Sequence, residues 1–281
     1  MSNPDGFGQG LGYSGKTVVV TGGASGMGEA TARILGELGA KVHIVDIQAP
    51  RIGCESFRQC DLSDFAQVRA TARSLADIAP IDFVFPCAGL PPHVKGAMYC
   101  MRVNYIGTRL FVEELLPSVR DGAGIALISS DAAMGWQRNL QQSLELLAIA
   151  DPDEAYAWCE ADPENRVRDG YTSSKEMLVV WVQNKAVELG NTRRIRLNAI
   201  GPCPTRTAFA EASKDIMTDE FIAAWPFPSL GRMATAEEQA WPLILMNSPL
   251  CGAVTGSFLY TDQGFASGVF TGAISAAFMG G

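Results

Sequence analysis

The sequence predicts an α/β fold of the doubly wound, Rossmann type, with a parallel sheet of about seven strands covered by helices on both faces. Three observations carry this. Short apolar runs alternate with longer stretches of helical period, as in successive βαβ units. Several of those runs, such as Thr17-Val-Val-Val20 and Ile81-Asp-Phe-Val-Phe85, are almost wholly apolar, which suits strands buried on both sides. The first run also opens straight into the glycine-rich Thr21-Gly-Gly-Ala-Ser-Gly-Met-Gly28, ahead of a helical pattern.

In chain order, strands are expected over residues 16–21, 41–46, 56–60, 81–86, 124–130, 194–200 and 256–261. Helices are expected over 26–38, 63–76, 96–120, 171–189 and 235–247. No Pro/Gly/Ser-rich linker divides the chain, so residues 1–281 read as a single domain. Its Gly-rich, polar start, residues 1–14, reads as a flexible extension. Between Ser130 and Tyr171 the βαβ rhythm breaks, and residues 136–168 read as a helical insertion. Leu140, Leu144 and Leu147 fall on one helical face and call for cover. Asp151-Pro-Asp-Glu154 and Asp162-Pro-Glu164 each have the Asp N-cap, first-turn Pro and following acid of a helix start. A separate acidic, partner-binding arm is the rival reading of this segment.

A net charge of −8 and a pI near 4.9 argue against nucleic acid or an anionic membrane surface as partner. No run of about 18 apolar residues is present to span a bilayer, and a cytoplasmic protein is expected. Seven scattered cysteines without a C-x-x-C pair suggest buried free thiols, and two histidines leave no His-rich metal site.

The glycines of residues 21–28 permit a tight turn and a close approach of the backbone to a pyrophosphate at a helix N-terminus. Any tight strand-to-helix turn favours glycine, so this signal alone is weak. The second strand adds to it by ending in Asp46, where a carboxylate can take the adenosine ribose hydroxyls and repel a 2′-phosphate. That points to NAD rather than NADP, although Asp46 in a turn is also an ordinary cap. Asp61, after the third strand, is placed for the adenine amine or for capping the next helix.

Tyr171-Thr-Ser-Ser-Lys175 puts a phenol and an ammonium four residues apart on one helical face. A nearby cation favours the phenolate, which is the tuning that acid/base work by a tyrosine needs. The same spacing is common on amphipathic helices without function. Here, however, Ser129-Ser130 ends an apolar strand at the sheet edge where ligands bind, and Asn104 interrupts the apolar pattern of the 96–120 helix.

Taken in order, Thr21–Gly28, Asp46, Asp61, Cys87-Ala-Gly89, Asn104, Ser130, Tyr171 with Lys175, and Pro202 to Thr207 resemble the short-chain dehydrogenase/reductase family over about 250 residues. The resemblance implies an NAD(H)-dependent oxidoreductase with Tyr171 as acid/base. Ser130 would orient the substrate oxygen, Lys175 would bind the nicotinamide ribose and lower the tyrosine pKa, and Asn104 would hold a relay water. It further implies cofactor contacts from Gly22, Ser25, Gly26, Met27, Gly28, Asp46, Ile47, Asp61, Leu62, Cys87, Ala88 and Gly89, and from Tyr171, Lys175, Pro202, Thr205 and Thr207. Thr207 would take the carboxamide.

Two positions depart from the family pattern. Pro86-Cys87 stands where two asparagines are usual, and Cys203 stands where a glycine usually follows Pro202. The step of 41 positions from Ser130 to Tyr171, against about a dozen in most members, is similar to the bacterial branch that holds 3α-hydroxysteroid dehydrogenase/carbonyl reductase and coniferyl-alcohol dehydrogenase. In that branch the insertion is expected to obstruct the helix pairing that builds tetramers, leaving a homodimer or another homo-oligomer.

Residues 208–231 lie where the family keeps its substrate lid, and carry Phe209, Phe221, Trp225 and Phe227. With Ser130 and Trp136, Phe209 and Trp225 are the expected substrate contacts. They suit a bulky apolar alcohol or ketone such as a steroid, terpenoid or phenylpropanoid. Static core under a loop is the plainer reading of these rings. The alternatives for function are a small-polyol or sugar-alcohol dehydrogenase and a catalytically silent NAD-binding regulatory protein.

Overall fold

The structure, a computed structural model, describes residues 10–91, 94–213 and 218–275. Its first half runs β1 (Thr17–Thr21), α1 (Gly26–Glu37), β2 (Lys41–Asp46), β3 (Ser56–Gln59), α2 (Phe65–Ser74) and β4 (Ile81–Pro86). Next come α3 (Ala97–Met101), a π-helical turn (Arg102–Gly107), α4 (Thr108–Leu115) and β5 (Val119–Ile128). The insertion comprises a 3-10 stretch (Asp131–Asn139), α5 (Leu140–Leu147), α6 (Pro152–Glu160) and α7 (Pro163–Arg166). It leads into α8 (Tyr171–Arg193), β6 (Arg196–Pro202), β7 (Thr205–Arg206), α9 (Ala208–Ala212) and α10 (Asp219–Ala224). The chain closes with β8 (Ala234–Thr235), α11 (Ala236–Asn247), β9 (Phe258–Thr261) and α12 (Phe265–Thr271).

Seven strands form one parallel sheet in the order β3-β2-β1-β4-β5-β6-β9. Strand alternation divides the core between its two faces: Val19, Val84 and Ile125 turn to one, Val18, Val20 and Phe83 to the other. On the first face lie α2, α4 and α8; on the second, α1 and α11. Chain direction across the sheet reverses between β1 and β4, which opens a crevice at their C-terminal ends, the usual place for a ligand in this architecture.

Several boundaries differ from those expected. The 96–120 helix is interrupted by the π turn and stops at Leu115, because Pro117 has no N–H to continue it, so β5 already begins at Val119. Meanwhile α8 continues to Arg193 and ends on Arg194 in the left-handed region (φ 54°), which delays β6 to Arg196. Nor is the expected free extension free throughout. Tyr13 is fully buried, its hydroxyl donates to Ile244 O at 2.6 Å, and its ring meets Phe83 at 4.7 Å. Residues 1–9 of that extension lie outside the described residues.

Within the insertion, Asp151 and Asp162 cap α6 and α7 by accepting from Asp153 and Glu154 N and from Asn165 N. The leucine face is otherwise placed than expected: Ser143 and Leu146 turn inward, while Leu140 and Leu144 stay 38% exposed. The tertiary cover, not the leucine spacing, decides the register here. The 3-10 stretch and α5 pack on α8, while α6 packs on the π turn with Ala155 and Cys159 buried. The insertion thus shares the main core and is no separate arm.

Candidate active site

At the crevice, a cleft of about 270 Å³ is bounded by the glycine turn, the ends of β2 and β3, and the loop after β4. It is lined by Gly22, Ser25, Gly26, Met27 and Gly28, by Asp46 and Ile47, by Asp61 and Leu62, and by Cys87, Ala88, Gly89 and Thr207, all expected there. The turn is shaped by close approach, since a Cβ on Gly28 would lie 2.1 Å from Gly22 O. Ser25 is the N-cap of α1 but makes no side-chain cap bond, so no capping side chain covers the first-turn N–H groups at the cleft.

Asp46 is held by two backbone donors, Ala24 N on Oδ2 and Gln48 N on Oδ1, each at 3.0 Å. It therefore both ties a turn and faces the cleft. Asp61 likewise accepts from Ser63 N at 2.8 Å, whereas the N-cap of α2 is Asp64. A glycine cradle at a helix N-terminus with a carboxylate at the end of β2 fits a dinucleotide.

The cleft continues into a second cavity of about 290 Å³, with Met27, Cys87, Gly89, Thr207 and Phe209 lining both. Here β5 and α8 bring together Ser130, Tyr171 and Lys175, and β6 with its following loop adds Pro202 and Thr205. Lys175 Nζ donates to Ile128 O at 3.1 Å and stands 5.6 Å from the Tyr171 ring centre. Burial pushes this ammonium down to about 8. Burial also pushes the Tyr171 phenol up, against the lowering hydrogen bond with Ser130, with Asp131 adding to the rise. The net direction is thus opposite to the lowering expected from Lys175, and the phenol holds its proton.

Asn104 lies in the π turn, fully buried. The turn widens where Gly107 presses on the loop after β3: a Cβ there would lie 2.1 Å from Leu62 O. Thr108 Oγ1 donates back five residues to Val103 O. The Asn104 amide grips the backbone of Leu90, its Oδ1 accepting from Leu90 N at 2.9 Å and its Nδ2 donating to Leu90 O at 3.0 Å. Oδ1 and Lys175 Nζ both face Gly89, 3.4 and 3.5 Å from where its Cβ would sit.

Phe209 and Trp225 line the second cavity, with Phe209 5.8 Å from the Tyr171 ring and Trp225 set against Phe221 and Phe265. These rings are half-buried and line the cavity, and Trp225 also packs against the buried Met134, Phe265 and Ala266. Residues 214–217 of the expected lid lie outside the described residues. Trp136, half-buried in the 3-10 stretch, is not on this lining. Sequence reasoning stopped short of Gln48, whose N–H Asp46 holds, and of Asp131, which follows Ser130 directly and shares its cavity. Adjacency to the strand-end serine was the only signal for Asp131.

Comparison with known proteins agrees with this geometry. The family described as short chain dehydrogenase matches residues 16–141, and that described as Enoyl-(Acyl carrier protein) reductase matches residues 161–266. The coniferyl-alcohol dehydrogenase of Pseudomonas sp. (strain HR199 / DSM 7063) is 30% identical over 252 residues, covering 90% of this chain and 97% of its own. This chain belongs to the short-chain dehydrogenase/reductase family. This short-chain dehydrogenase/reductase is also similar to the 3-alpha-hydroxysteroid dehydrogenase/carbonyl reductase of Comamonas testosteroni, 27% identical over 255 residues with 88% and 95% of the chains covered. The crystal structure of the 3-alpha-hydroxysteroid dehydrogenase from Pseudomonas sp. B-0831, complexed with NADH, shares its fold. That pair superposes with a TM-score of 0.77 at 23% identity, covering 92% of this chain and all of the other. As a member of this oxidoreductase family, the protein binds a nicotinamide cofactor. Among the described residues, no helix is long and apolar enough to cross a membrane.

Proposed function

We propose that the protein is an NAD(H)-dependent dehydrogenase/reductase interconverting a bulky apolar secondary or aryl alcohol and its carbonyl compound. The observation that carries this reading is the meeting of Ser130, Tyr171 and Lys175 at the inner end of the cofactor cleft, facing a cavity walled by Phe209 and Trp225. A bound nicotinamide cofactor supplies the hydride acceptor or donor.

The chain's own residues handle the proton and the orientation. In reduction, Tyr171 gives its phenolic proton to the carbonyl oxygen, a role suited to a phenol that burial keeps protonated; in oxidation it takes the proton back. Ser130 holds the same oxygen by hydrogen bonding and so fixes which atom meets Tyr171. Lys175, anchored on Ile128 O and tuned down to about 8, is poised to stabilise the deprotonated phenol. Asn104 fixes the loop over the cofactor through Leu90, and its Oδ1, on the side of Lys175, faces the start of the expected proton relay. Asp46 selects NAD(H). Thr207, at the join of the two cavities, is placed to meet the carboxamide.

The substrate class follows from the cavity wall and gains support from relatives named for coniferyl alcohol and for hydroxysteroids. Seven free cysteines suit a reducing, cytoplasmic setting. A panel of hydroxysteroids, aryl alcohols and monoterpenols, read by NADH absorbance, tests the reading. Turnover of small polyols in preference to all three groups would overturn it.

A further inference from the structure

Asp131 is the one carboxyl among the described residues that line the substrate cavity, and it is 8% exposed there. Its Oδ1 lies 3.1 Å from Ser130 Oγ. The same Oγ accepts from Ala132 N at 3.2 Å, as the cap of the 3-10 stretch. A serine hydroxyl has one hydrogen and two lone pairs. With one lone pair taken by Ala132 N, the state of the carboxyl decides where the hydrogen goes. An ionised Asp131 can only accept, so it draws the Ser130 hydrogen and none is left for a substrate oxygen. A protonated Asp131 gives its own hydrogen to the second lone pair of Ser130 Oγ and frees the serine's.

The surroundings favour the protonated form. Asp131 Oδ2 is buried with no hydrogen-bond partner among the described residues, so an ionised group would hold charge on an unpaired oxygen. Asp262, by contrast, accepts at both oxygens, from Gly264 N at 2.9 Å and Ala266 N at 2.7 Å. The titratable groups coupled to Asp131 are the Tyr171 phenol on α8, the Cys203 thiol after β6, the Tyr260 phenol on β9 and the Asp262 carboxyl, none of them a cation. In the adjoining hollow that Asp131 also lines, Arg168 is paired with Glu176 and Arg138 is exposed. Lys175, in the substrate cavity, is turned to Ile128 O. Burial, reinforced by Asp262, pushes the carboxyl up to about 7 against the pull of the Ser130 hydroxyl.

We propose that Asp131 is a positioning residue for Ser130: protonated, it donates to Ser130 Oγ and turns the serine hydrogen to the substrate oxygen; ionised, it takes that hydrogen and leaves Ser130 unable to donate. A carbonyl oxygen gaining charge during hydride transfer needs donors, here Tyr171 and Ser130. Losing one donor to a developing oxyanion costs on the order of 10²–10³ in rate. Reduction therefore slows as Asp131 ionises. This inference rests on the alcohol dehydrogenase reading above.

The test uses the full chain with NADH and three carbonyl probes, 5α-androstan-3-one, cinnamaldehyde and camphor, and follows kcat/KM for those reduced from pH 6 to 8.5. Lys175 titrates in this range in every variant, so the readout is the ratio of the native chain to Asp131→Asn at each pH. That ratio should fall at least about tenfold across the range, because only the native chain loses its serine donor. Asp131→Ala, with nothing to take the serine hydrogen, should give the same fall and replaces the amide variant if that does not fold. Quenching of NADH fluorescence on binding checks that each variant holds cofactor. The charge of Asp131 also raises the Tyr171 phenol, and a second pair separates that route. Between Ser130→Ala and Ser130→Ala with Asp131→Asn, read in single turnovers, the ratio should stay flat with pH. A native-to-variant ratio that stays level with pH overturns the inference alone, as does a fall that persists without Ser130. If the native chain binds NADH but reduces none of the three probes, the alcohol dehydrogenase reading falls and the inference with it.

Discussion

The choice between NAD(H) and NADP(H) turns on Asp46, and its magnitude can be worked from the structure. Two backbone N–H groups, Ala24 and Gln48, pin the carboxylate at 3.0 Å each, so it cannot swing away from an added phosphate. Two unit charges at about 4 Å repel by about 1 kcal/mol in bulk water and about 4 kcal/mol at the effective dielectric of a protein surface. A ribose hydroxyl bonded to a carboxylate contributes a further 1.5–3 kcal/mol or so to NAD(H) alone. Even the lower end of the sum exceeds the 1.4 kcal/mol or so of a tenfold preference. We expect NADH to bind at least about tenfold more tightly than NADPH, measured by fluorescence titration without substrate. In Asp46→Ala that ratio should drop to about one, mostly through weaker NADH binding, since the loop also loses two acceptors. Equal binding of the two cofactors by the native chain would refute the reasoning. Arg51 is the residue to test in that event: it lines the hollow beside Ser25 and Gln48, whereas Arg33, on the same rim, is already paired with Glu37 and Glu237.

Other expectations address chemistry, burial and assembly. Tyr171→Phe should lower kcat by about 10²–10⁴ while NADH still binds, and retention of more than a tenth of native turnover would exclude Tyr171 as the acid/base. Asp131 holds a proton in the folded chain from its ordinary 3.8 up to about 7, so its contribution to stability is complete below about 4 and is lost as pH rises through 7, by about 4 kcal/mol in all. Urea melts of the native chain and Asp131→Asn should therefore diverge between pH 4 and 7, with the native advantage shrinking upward; parallel curves would contradict the raised value. Leu146→Ala, at a fully buried position, should cost about 2–5 kcal/mol and Leu144→Ala under about 1, so equal costs would reverse the assigned face of α5. Because the insertion packs on α8, we expect light scattering to report a dimer whose cross-links avoid that helix, and a tetramer joined through paired α8 helices would refute this.

What the sequence made legible divides along the range of the interaction that decides it. The sheet, the glycine turn, Asp46 at the end of β2 and the Tyr171–Lys175 pair were readable because period and spacing are local: alternation marks a strand, and four residues bring two side chains to one helical face. Even the caps of the insertion were readable, since Asp151 and Asp162 bond amides only two or three residues away. Features set by contact across the fold were not. Leu140, Leu144 and Leu147 share a face on paper, but α8 selects Leu146, and no local pattern says which side of α5 meets it. The π turn at Asn104 depends on Gly107 meeting Leu62 O from another element, and nothing in residues 96–120 alone marks that approach.

The direction of the Tyr171 shift belongs with these non-local effects. Spacing brings Lys175 near and argues for a lowered pKa, but the cavity that shields both groups from water raises one and lowers the other, and desolvation is the larger influence on each. A buried phenol and a buried ammonium, nearly equal in proton affinity at their ordinary values, thus move apart, so that the phenol keeps the proton it gives to the substrate oxygen while the ammonium holds its own less tightly. The 3-10 stretch that leads into the insertion starts at Asp131, carries the cap made by Ser130 and packs on α8, so that its first two residues, Asp131 and Ala132, form part of the wall of the reaction site.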